Sequence, residues 1–100
     1  MVTLTSLTQL CPSFPSEWQG ETGTGECVYV RYRHGFLVAS LAGSLDDAVS
    51  AQLSALGLCE GPTGRSEILF NDRTGGANDG KMSEQEMLAR LDGVLRVAAR

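Results

Sequence analysis

The sequence predicts an α+β domain: an antiparallel three-stranded meander plus a fourth strand, with two helices on one face, in the order β-β-β-α-β-α. Three observations carry this. Runs with period-two alternation are punctuated by Gly-bearing turns, and two later segments have helical periodicity with capping residues. The totals fit one domain over residues 1–100, with 42% apolar and 20% charged residues. A chain of this length buries roughly two-thirds of its unfolded surface, enough for one modest core.

Leu4, Leu7 and Leu10 recur at spacing three, and Pro12 and Pro15 stop anything longer. This spacing predicts a short helix or turn over residues 5–10. Ser16–Thr22, Glu26–Arg33 and Phe36–Ala42 follow as three strands. His34-Gly35 is a two-residue hairpin loop, since glycine takes positive φ freely and histidine tolerates it. That loop sets Tyr32 opposite Leu37, Val30 opposite Ala39 and Val28 opposite Leu41 on one face. The other face pairs Arg33 with Phe36, Arg31 with Val38 and Tyr29 with Ser40. A slip of one residue would send every side chain to the wrong side. In the first hairpin, a three-residue loop at Gly23-Thr24-Gly25 places Trp18 opposite Val30 on the core face, where its large area is best buried.

Ser44 is the N-cap of the first helix, with Asp46 and Asp47 at the positive end of its dipole. Leu45, Val49, Leu53 and Leu56 form its apolar stripe, and Gly57-Leu58 reads as a left-handed C-cap with its hydrophobic contact. Beyond the Glu60–Arg65 loop, Glu67-Ile68-Leu69-Phe70 is a short strand, followed by a glycine-rich loop over residues 73–81. In the last helix Ser83 and Glu86 make a capping box, and Met82 and Met87 a hydrophobic staple. Its stripe is Leu88, Leu91, Leu95 and Ala98, with Glu86/Arg90 and Asp92/Arg96 as i,i+4 pairs. With both helices on one face, the face holding Tyr29, Arg31, Arg33, Phe36 and Val38 is left open.

Composition narrows the function. A net charge of −4 disfavours direct nucleic-acid binding through phosphates. Three cysteines without a CxxC, and one histidine, do not make a zinc site. The odd count favours reduced thiols, although one disulfide stays open. The N-terminus has neither a basic start nor a long apolar run, and no stretch approaches about 18 apolar residues. These features point to a soluble, cytoplasmic protein with no membrane segment.

Catalytic and ligand motifs fail on their own chemistry. Gly75 to Met82 matches GxxxxGK, but Met82 replaces the residue that would hold Mg²⁺, and Asp79 would put a negative charge in the cradle. The bland reading is a connector. An EF-hand register fails either at position one, where Gly75 stands, or at position twelve, where Met82 stands. His34 and Cys27 are seven residues apart on one strand, roughly 23 Å. The expectation is no enzyme and no cofactor.

The Tyr29/Arg31/Arg33/Phe36/Val38 face remains. Its bland reading is a solvated sheet face; its functional reading is a partner interface, since Tyr and Arg are enriched at hot spots. Aromatics with arginines also suit single-stranded RNA, but in an acidic chain a protein partner ranks above RNA. CPSFPSEW followed by VYVRYRHG, within residues 11–35, resembles small proteins carried by phages and bacterial mobile elements. The resemblance covers about a quarter of the chain and brings no catalytic residue with it. It implies no activity and at most a mobile-element origin. Small proteins from that source often bind and block a host machine, so the expected role is an inhibitor of a host protein or ribonucleoprotein complex such as a CRISPR effector. A homodimer burying the face and a small RNA-binding module are the alternatives.

Overall fold

The computed structural model describes residues 1–55, 57 and 65–98. The elements run β1 (Val2–Pro12), β2 (Ser16–Thr22), β3 (Cys27–Arg33), β4 (Phe36–Ala42), α1 (Leu45–Ala55), β5 (Ser66–Arg73), α2 (Glu84–Arg90) and β6 (Leu95–Val97). They form one six-stranded sheet in the order β5-β4-β3-β2-β1-β6. Every neighbour is antiparallel except β6, which runs parallel to β1. The α+β class stands, while the four-stranded arrangement is corrected to six strands in a mixed sheet.

The central meander follows the expected register. Tyr32 pairs with Leu37, Val30 with Ala39 and Val28 with Leu41, while Trp18 pairs with Val30. Leu4, Trp18, Val28, Val30, Tyr32, Leu37 and Ala39 make one face of the sheet into the main core, which Met82, Met87 and Leu91 cover. Leu45, Ala48 and Val49 of α1 pack instead with Tyr29 and Ala42, which belong to the other face. The helices therefore lie on opposite faces, correcting the one-face arrangement. The physical reason lies in α1 itself: its fully buried positions are Ala48, Ala51 and Gln52, whereas Leu45, Val49 and Leu53 are half-buried. Small residues let the helix sit close to the sheet, and the leucines flank the contact. Leu56, Leu58, Cys59 and most of the Glu60–Arg65 loop lie outside the described residues. Gly57 does take positive φ, at 76°.

Residues 5–10, expected to be helix or turn, belong to β1. Irregularities between Leu4 and Ser6, and between Gln9 and Cys11, interrupt the pairing with β2. Such a bulge adds one residue to one strand and resets its alternation. Leu4 and Leu7 consequently both meet the main core. A spacing of three, which imitates a helix, is here a strand with a bulge.

The last helix is shorter than its apolar pattern. Ser83 is its N-cap, its Oγ accepting from the Glu86 N–H at 3.1 Å. The staple forms too, with Met82 and Met87 in one buried cluster. The helix ends at Arg90, and Gly93 adopts φ 85° to turn the chain. Leu95, expected on a helical stripe, is instead buried from β6. Arg96 lies on that strand, its Nε donating to Thr3 Oγ1 at 3.3 Å, so the expected Asp92/Arg96 helix pair does not exist.

The glycine-rich loop is tied down rather than a loose connector. The amides of Thr74 and Gly75 both donate to the Gly35 carbonyl, and the Gly35 amide donates to that of Asp79. The Gly80 carbonyl accepts from Phe14 and Ser16, while the Met82 amide donates to Ser16 Oγ. Gly35 is required at this contact. Its φ is 80°, and a Cβ there would come within 2.3 Å of the Gly75 carbonyl oxygen.

A candidate docking groove beside the first helix

Alternation along β3 directs Tyr29, Arg31 and Arg33 to the face that α1 covers, and the register brings Phe36, Val38 and Ser40 of β4 beside them. Helix α1 is seated by a buried polar cluster. Gln52 Nε2 donates to the Tyr29 carbonyl at 2.9 Å and to Ser40 Oγ at 3.1 Å. Ser40 Oγ in turn donates to the Ala48 carbonyl at 2.7 Å. The helix covers only part of the face, and a groove remains along its flank. One hollow, of about 570 Å³, is lined by Phe36, Val38, Leu53, Ala55 and Asn71, with Arg31, Arg33 and His34 at its rim. A second, of about 280 Å³, holds Pro15, Glu17, Tyr29 and Val49. Both are bordered by Arg31, Arg33, Gln52 and Leu53, which makes them one continuous trough.

The electrostatics of the trough are uneven. The Tyr29 hydroxyl donates to Glu17 Oε2. Burial, and then this carboxylate, push the Tyr29 phenol well above its ordinary value. At the far rim the Arg73 guanidinium lies 5.6 Å from the centre of the Phe36 ring, a cation–π contact. Arg31 and Arg33 make no side-chain hydrogen bond or ion pair with another described residue. Their planar, permanently charged donors are well shaped for a carboxylate.

All five residues singled out in the sequence line this trough, in different roles. Arg31, Arg33, Phe36 and Val38 are at least partly accessible. Tyr29 is only 4% exposed and forms part of the floor. The face is therefore not open, as expected from the sequence, but half roofed. Sequence reasoning missed the helical wall of Gln52, Leu53 and Ala55. A glutamine among alanines on an otherwise apolar face was the available signal, because such a residue is buried only when hydrogen-bonded.

The other motifs are not assembled into sites. The Gly76 amide donates to the Asp79 carboxylate, and the Asp79 amide to the Gly76 carbonyl. The Gly75 and Met82 amides are likewise committed, to the Gly35 carbonyl and to Ser16 Oγ, so that four of the loop's amides are engaged within the protein. Among the described residues, no group of three His, Cys, Asp or Glu side chains could hold a metal ion. No helix of the described residues is long and apolar enough to cross a membrane. The fold and site together define a small α+β domain with an arginine-lined groove between a helix and its sheet. Comparison with protein-family models, curated proteins and solved structures returns no match.

Proposed function

We propose that the chain is a non-enzymatic protein-binding module whose partner docks in the groove between α1 and the β3–β4 hairpin. The observation that supports this most is the pairing of two guanidiniums, Arg31 and Arg33, which make no side-chain hydrogen bond or ion pair with another described residue, with the apolar surface of Phe36, Val38 and Leu53. Buried apolar anchors beside arginine are the usual source of interface energy. The RNA reading loses support, because Tyr29 is buried and one face of Phe36 already carries Arg73, leaving few rings for bases to stack on. The resemblance of residues 11–35 to mobile-element proteins supports a finer reading. In it the partner is a host protein or ribonucleoprotein complex, such as a CRISPR-type defence complex, that the chain inhibits.

Affinity capture from nuclease-treated bacterial lysate tests the site. Wild type should retain a discrete complex that the Arg31→Glu/Arg33→Glu variant, verified as folded by circular dichroism, does not. Retention of the same complex by both proteins, or of none by either, would contradict the proposal.

A further inference from the structure

We infer that the groove takes an extended acidic peptide segment, its carboxylate held by Arg31 and Arg33 and an adjacent apolar side chain seated against Phe36, Val38 and Leu53. The inference rests on the docking reading above and names the chemistry of the occupant. Charge complementarity is the first argument. The chain carries 12 acidic and 8 basic residues, yet Arg31, Arg33 and Arg73 converge on this corner beside His34. Among the described lining residues the one carboxylate is Glu17, and it accepts the Tyr29 hydroxyl.

Shape is the second argument. Arg31 and Arg33 border both hollows and so lie between the apolar one and the one containing Tyr29 and Glu17. A carboxylate bound between them would have neighbouring side chains over each hollow, which suits an extended chain rather than a compact ligand. Nucleic acid fits less well, since Tyr29 is buried and Phe36 is the one exposed Phe, Tyr or Trp ring among the described lining residues, with Arg73 already over one of its faces.

The test uses four labelled probes and fluorescence anisotropy on the full chain: a Glu-rich peptide with a central leucine, the same peptide with glycine there, a Lys-rich counterpart, and oligouridine. The leucine-containing acidic peptide should bind best. Its affinity should fall about tenfold or more in Arg31→Glu, as expected when a charged hydrogen-bonding partner is lost, and weaken as salt rises. Leu53→Ser should erase the advantage of leucine over glycine. Equal binding of acidic and basic peptides, tighter binding of oligouridine, or no binding at all would overturn the inference. A homodimer seen by light scattering and broken by Arg31→Glu would overturn it too, because the occupant would then be a second copy. If the peptides fail while the lysate complex is still lost in Arg31→Glu/Arg33→Glu, the ligand chemistry alone is wrong. If the complex survives in that variant, the site is wrong.

Discussion

Gln52 shows how one polar side chain can hold a helix on a sheet. It is 4% exposed, and its amide serves Tyr29 and Ser40 at once. Gln52→Leu should cost about 1–3 kcal/mol, because it strips partners from buried groups. The melting temperature should drop by roughly 4–8 °C per kcal/mol. Combined with Ser40→Ala the loss should be less than the sum, since both changes break one network. Trp18 behaves differently. It is fully buried, yet its indole N–H has no acceptor among the described residues. Trp18→Phe should therefore cost far less than Trp18→Ala, for which about 3–5 kcal/mol is expected; denaturant titration of both variants checks this.

The two tyrosines make a prediction about pH. Burial is the first cause raising both phenols, with Glu17 adding to it at Tyr29 and Asp79 at Tyr32. The unfolded chain therefore releases these protons first, from about pH 10 upward. The stability they contribute is present below that value and falls as the pH rises through the folded-state values. Phenolate absorbance should lag free tyrosine and rise together with loss of structure. Ionisation of both rings near pH 10 in a folded chain would contradict the burial described here.

At the level of elements, local rules were sufficient where the chain turns tightly. The His34-Gly35 loop and the alternation beside it gave the register of β3 and β4 residue by residue, and Ser83 gave the start of α2. They failed at both edges of the polypeptide's pattern. In β1 a bulge turns period two into spacing three, and after Arg90 a leucine pattern continues past the end of the helix. Gly93 was the overlooked stop signal, with φ at 85°. Gly93→Ala should destabilise by about 1 kcal/mol or more through backbone strain. Hydrogen exchange should show the effect first at the Val2 and Ala98 amides, which tie β6 to β1 through Val94 and Leu4.

For the molecule as a whole, the sheet-borne half of the groove was legible in the sequence and its helical wall was not. Alternation alone assigns Arg31, Arg33, Phe36 and Val38 to one face. Which helix crosses that face depends on how closely it can approach, and the alanines at 48 and 51 decide this through packing that no local pattern encodes. The groove is thus a product of tertiary structure: α1 covers Tyr29 and leaves the arginines accessible at its flank.

The central claim, that this groove is where a partner sits, is tested most directly by site-specific photocrosslinking. A photoreactive residue at Leu53, on the groove wall, is compared in bacterial lysate with one at Thr24, at the tip of the β2–β3 hairpin. A discrete adduct from position 53, absent from position 24 and suppressed by Arg31→Glu, is the predicted result. Adducts of equal yield from both positions, or none from position 53, would contradict it.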